Sequence, residues 1–149
     1  YAKSRDNART PMQWNKEKNA GFTEGEPWLP VNENYHYINV EDSINDKNSI
    51  LNYYKKLIKL RRENDVIKYG TFELILDNHK EVFAYKRNYE NVELLVICNF
   101  YGNNIEISLP DEYSSCLYEC LLENYDEGPR LDKSISLRPY EAIVYKLVR

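Results

Sequence analysis

Eleven residues near the start of the chain, Ser4-Arg5-Asp6-Asn7-Ala8-Arg9-Thr10-Pro11-Met12-Gln13-Trp14, carry the densest set of binding groups. Two arginines four apart, an acid between them, a proline and a tryptophan make a surface suited to a polar ligand. Groups suited to bond-breaking chemistry are harder to find. The acids Glu17, Glu24 and Glu26 lie in a stretch with no strand pattern to hold a carboxylate pair at fixed distance. His36 and His79 stand alone, without a partner at metal-ligand spacing, so no metal is expected. A phosphate-cradling glycine loop, a nucleophile elbow and a calcium loop are all absent from the sequence, and no cofactor is expected.

The elements that must position this segment fall into two parts. Residues 1–48 show almost no hydrophobic period and are punctuated by Pro11, Gly21, Gly25, Pro27 and Pro30. So long a stretch inside a compact domain reads as a functional loop or lid. Trp14, Phe22, Trp28 and Leu29 are too many large apolar groups for a solvated linker, so they need a surface to pack on. We expect residues 1–48 to be less ordered than the rest, or ordered by contacts with other polypeptide.

A helix follows from Ile50 to Glu63. Ser49 or Asn48 can accept from its first free amides, and Ile50, Leu51, Tyr54, Leu57, Ile58 and Arg61 recur at helical spacing. Lys55, Lys56, Lys59 and Arg62 form its solvated face, and Asn64-Asp65 ends it. Its apolar stripe is expected to dock on the following domain or on a second copy of the chain.

From Tyr69 the period becomes two. Thr71 to Leu76 and Val82 to Tyr89 flank the turn Asp77-Asn78-His79-Lys80, which predicts a hairpin. Val92 to Phe100 is apolar at nearly every position, as in a strand covered on both faces. Shorter strands are predicted around Ile105 to Leu109, Leu117 to Leu122, Ile135 to Leu137 and Ala142 to Leu147. Seven short strands with frequent turns predict a mainly β, antiparallel sandwich or barrel.

Composition excludes several classes. A net charge of −4 provides no footprint for nucleic acid or an anionic membrane. No run is long and apolar enough for a membrane helix. Three cysteines, Cys98, Cys116 and Cys120, are too few and too irregular for a disulfide framework or a structural zinc site. They read as reduced thiols of a cytoplasmic protein. Fourteen tyrosines against four phenylalanines suit half-buried strands, and suit sugar-facing surfaces as well.

The segment from Arg5 to Trp14 resembles one found in the α-glucosidase branch of the α-amylase family, the oligo-1,6-glucosidase and trehalose-6-phosphate hydrolase type. In that family it lies on the loop after the last strand of a (β/α)8 barrel. The stretches Leu94-Leu95-Val96-Ile97-Cys98-Asn99-Phe100 and Leu137-Arg138-Pro139-Tyr140-Glu141-Ala142-Ile143-Val144-Tyr145 resemble the family's C-terminal Greek-key β-sandwich. The resemblance covers essentially the whole chain. It implies a C-terminal fragment of a retaining glycosidase: residues 1–66 as the tail of the catalytic barrel, with its last loop and helix, and residues 67–149 as the sandwich.

By the same resemblance the catalytic carboxylates precede Tyr1, so none is assigned here and the chain alone is expected to be inactive. Arg5 matches the arginine that reaches the subsite of the non-reducing glucose and pairs with an acid there; a planar guanidinium can hold a carboxylate and a hydroxyl together. Arg9 matches a second arginine at the same entrance. Asp6 and Asn7 are expected to hold the loop, and Trp14 to brace it. The implied partners are an α-glucoside oligosaccharide and the rest of the barrel. The likeness is closest to oligo-1,6-glucosidase, which implies cleavage of α-1,6-glucosidic links in short oligosaccharides; trehalose-6-phosphate hydrolase and sucrose isomerase share the pattern and are the alternatives within the class. A non-catalytic module that binds carbohydrate or stabilises its neighbour is the alternative from another class.

Overall fold

The computed structural model describes residues 6–114 and 116–148, without the side chain of Asn7. The chain divides into two compact units, residues 1–55 and 56–149.

The first unit contains no strand among its described residues. Short 3-10 turns at Asp6–Ala8, Lys18–Gly21 and Glu33–His36 precede α1 (Val40–Asn45). This segment is tied together by its own amides. Asn39 is buried and caps α1, accepting from Asp42 N at 2.8 Å and donating to Tyr35 O at 3.0 Å. Asn19, Ala20 and Gly21 all take left-handed backbone angles. That run aims Ala20 O at Trp14 N and Asn15 N, 2.9 and 3.2 Å away. Glycine is required at Gly21, because a Cβ there would meet the Asn15 side chain at 2.5 Å.

α2 (Ile50–Glu63) has the expected limits. Ser49, rather than Asn48, supplies the cap, its Oγ accepting from Asn52 N at 3.1 Å. None of the residues of α2 is buried within this chain, and Ile50, Tyr54, Leu57 and Ile58 stay exposed. A further helix that the sequence reading did not foresee, α3 (Asp65–Tyr69), follows at once.

Among the described residues seven strands follow: β1 (Glu73–Ile75), β2 (Val82–Tyr89), β3 (Val92–Asn99), β4 (Ile105–Ser108), β5 (Tyr118–Glu123), β6 (Ser134–Leu137) and β7 (Ala142–Val148). They form an antiparallel sandwich. One sheet has the order β1-β2-β3-β7-β5, and β4 pairs with β6 in the other. After β3 the chain crosses between sheets at every step, which local turn signals do not encode. Leu95, Ile97, Ile143, Tyr145 and Leu147 from the large sheet meet Ile105, Ile107, Ile135 and Leu137 from the small one, making one buried core. Asn99, buried at the end of β3, donates to Asn103 O and Arg138 O at 2.8 Å each. It thereby joins the β3–β4 turn to the turn before β7.

Candidate substrate-side loop

Arg5 lies outside the described residues, so the structure places only its neighbours. Asp6 opens the first 3-10 turn, and its carbonyl accepts from Arg9 N at 2.9 Å. The backbone of Gln13 and Trp14 is then held from two sides. Gln13 O accepts from Val40 N at 2.9 Å and Trp14 O from Glu41 N at 3.0 Å, while Ala20 O binds from the other side. Gln13 Nε2 adds a bond to Asn34 Oδ1 at 2.9 Å. The bracing expected of Trp14 is therefore carried by its main chain; its indole is half exposed. Lys16 pairs with Asp42 at 2.9 Å across the same loop, and that lysine holds the Asp42 carboxyl below its ordinary pKa.

Arg9 is exposed and lines a cavity of about 300 Å³ with Thr10, Pro11, Met12, Phe22, Trp28 and Leu29. It is the one charged side chain in that lining. Among the described residues Arg9 has no ion-pair partner, so its guanidinium is available to a ligand or to another part of a longer polypeptide. Trp28 is 88% exposed at the edge of the cavity. The sequence marked Phe22 and Trp28 as needing a surface, but gave no sign that they share a cavity with Arg9. Asn39 and Gln13, which fix the loop, went unnoticed because side-chain-to-backbone bonds have no sequence period.

The remaining candidates serve structural roles. Nδ1 of His79 accepts from Val82 N at 3.0 Å and closes the β1–β2 turn, while His36 stacks on Tyr35 with ring centroids 3.9 Å apart. Among the described residues no three His, Cys, Asp or Glu side chains converge as a metal site. The three cysteines are free. Cys120 is exposed, yet burial of its sulfur and the adjacent Glu123 carboxylate push its thiol up to about 11. At pH 8 it should therefore alkylate about 100-fold more slowly than an ordinary cysteine, because so little thiolate forms. The rate should climb about tenfold per pH unit up to pH 11. Timed iodoacetamide labelling read by peptide mass spectrometry checks this; a rate matching a free thiol at pH 8 contradicts it.

Comparison with known sequences identifies the loop and the sandwich together. A family model described as the α-amylase catalytic domain matches residues 1–70, and one described as the α-amylase SusG C-terminal domain matches residues 82–144. The chain belongs to the α-amylase family. It is 51% identical over 147 residues to an oligo-1,6-glucosidase of Bacillus cereus, covering 99% of this chain and 26% of that protein. It is 46% identical over 150 residues to a trehalose-6-phosphate hydrolase of Bacillus subtilis (strain 168), covering 99% of this chain and 27% of that protein. Among solved structures it superposes on the trehalose-6-phosphate hydrolase of Bacillus licheniformis with a TM-score of 0.88 and 48% identity, again covering 99% of this chain and 27% of the other. The chain thus spans about a quarter of the length of the family members it matches.

Proposed function

We propose that this chain is the C-terminal part of a retaining α-glucosidase that hydrolyses α-1,6 links in short oligosaccharides. The observation that carries this reading is the 51% identity to an oligo-1,6-glucosidase along nearly the entire chain. Residues 1–66 form the tail of the catalytic barrel, with its substrate-side loop and last helix, and residues 67–149 form the C-terminal sandwich. Arg5 contacts the non-reducing glucose, and Arg9 lines the entrance. The exposed stripe of α2 and the exposed Trp28 are the surfaces such a tail presents to the rest of a barrel. Three free thiols fit a cytoplasmic setting.

Displacement at an anomeric carbon needs a nucleophilic carboxylate and an acid/base carboxyl facing each other across the bond. By this reading both lie in the part of the barrel outside this chain, and Asp42 of the described loop is committed to Lys16 and Asn39. The 149 residues alone should therefore release no glucose from a p-nitrophenyl α-glucoside above the buffer rate, whereas the complete polypeptide should. Release by the pure chain overturns the reading. The 48% identity to a solved trehalose-6-phosphate hydrolase favours one second reading, that trehalose-6-phosphate is the substrate. Turnover of isomaltose against trehalose-6-phosphate by the complete polypeptide separates the two.

A further inference from the structure

Thr10, Pro11 and Met12 form a wall with space on both sides. One side is the cavity that Arg9 lines; the other is a second cavity of about 350 Å³, reached by Gln13, Ile38, Val40 and Leu51. Packing fixes such a strip poorly, because atoms facing open space lose the contacts that would hold them. Among the described residues no main-chain hydrogen bond holds these three either: Arg9 N is bonded before them and Gln13 O after them. Pro11 has no amide hydrogen to give. The strip is therefore located from its ends, and Arg9 stands at one of them.

The end at Gln13 is firmly anchored. Its carbonyl accepts from Val40 N at 2.9 Å. Its side-chain Nε2 spends both hydrogens, one on Asn34 Oδ1 at 2.9 Å and one on Ile38 O. A main-chain carbonyl can only accept, so Ile38 decides which way the amide is turned. The acceptors belong to a segment that is itself tied down. Asn34 N donates to Asn32 Oδ1 at 3.1 Å, Ile38 N to Asn34 O at 2.8 Å, and Asn39 Nδ2 to Tyr35 O at 3.0 Å. A methionine in place of Gln13 would make neither bond, and a glutamate would set an anion against two acceptors. Along a strip held only at its ends, a shift at Gln13 becomes a shift at Arg9. Misplacing a group that positions substrate by about 1 Å can cost about 100-fold.

We propose that Gln13 is a positioning residue for Arg9, its carboxamide fixing where that guanidinium stands at the sugar entrance. The proposal rests on the reading of this chain as part of a longer glucosidase with Arg9 at its entrance.

Isomaltose kinetics of the complete polypeptide test it, with Gln13→Met, Gln13→Glu, Arg9→Ala and the double variant Arg9→Ala with Gln13→Met. Gln13→Met should raise KM about five- to tenfold and leave kcat within about twofold, because a group at the entrance holds substrate rather than the reacting bond. Gln13→Glu should raise KM further. In the Arg9→Ala background Gln13→Met should add less than about twofold, since the two residues act as one unit. A Gln13→Met enzyme with a lowered melting temperature but the wild-type KM has lost a folding contact only, and overturns the proposal. Losses that multiply in the double variant overturn it too, and in both cases the glucosidase reading stands. If Arg9→Ala itself keeps the wild-type KM, there is no guanidinium to place and the proposal falls. A complete polypeptide that cleaves no α-glucoside sinks the reading and the proposal together. If neither Gln13 variant folds, Asn34→Leu, which removes one acceptor, should raise KM about two- to threefold; an unchanged KM there is equally fatal.

Discussion

Arg5→Ala in the complete polypeptide is expected to lower kcat/KM on isomaltose by roughly 30- to 1,000-fold, with the melting temperature nearly unchanged. The estimate follows from what a guanidinium does in a closed sugar subsite. Its fork satisfies an acidic partner and a sugar hydroxyl at once, and leaving a charged hydrogen bond unmade there costs about 2–4 kcal/mol. Each ~1.4 kcal/mol is a factor of ten in rate. The described backbone that follows this position is held by main-chain bonds. Asp6 O is held by Arg9 N, and Gln13 and Trp14 are fixed by Val40, Glu41 and Ala20 through main-chain bonds. Arg9→Ala should cost less, since Arg9 is exposed on a cavity lined mainly by apolar groups. Lys59→Ala should cost almost nothing, because among the described residues its one ion pair is an exposed one with Glu63 at 3.9 Å. Kinetics of the three variants with melting curves as controls check the ranking. Near-normal kcat/KM for Arg5→Ala would remove the sugar contact from Arg5 and leave it a structural ion pair.

Wherever structure follows from a period, the sequence was sufficient. α2 was legible to the residue because Ser49 offers a cap, the apolar stripe repeats at helical spacing, and Asn64 stops it. The seven strands were legible because inward and outward residues alternate. Their partners were not. That β4 pairs with β6 apart from the other five depends on which faces find each other after collapse, and alternation is the same for any partner. The order within residues 6–48 was equally hidden. It comes from Asn19, Asn39, Gln13 and Asn52 bonding to carbonyls, as when Asn52 Nδ2 ties α2 back to Asp46 O at 2.7 Å. Such bonds leave no periodic trace and look like loop composition. At the site, the roles proposed for Arg5 and Arg9 come from the family resemblance, and the cavity uniting Arg9 with Phe22 and Trp28 needed the fold.

Glu141→Ala should produce the largest loss of stability of any single substitution in the turn before β7, about 2–3 kcal/mol. Glu141 is completely buried, and its carboxylate accepts from both the main chain and the side chain of Arg138. Its carboxylate takes Arg138 N at 2.7 Å and Arg138 Nε at 3.1 Å, with Nη2 of the same arginine closing the fork. The guanidinium in turn lies 4.1 Å from the Tyr125 ring centre, and Asn99 holds Arg138 O from β3. Removing the carboxylate leaves a buried amide without its acceptor and a cation without its counter-charge. Arg138 is 37% exposed, so water screens its half of the pair and the cost stays at the lower end of the range for buried ion pairs. For a chain of this size the loss corresponds to a drop of roughly 5–10 °C in melting temperature. Replacing both partners, Arg138→Met with Glu141→Leu, should recover much of it, since no charge is then stranded in the core. Thermal unfolding of the single and double variants decides the matter. A Glu141→Ala chain that melts with the wild type would mean that packing, not this carboxylate, holds β7 to β3.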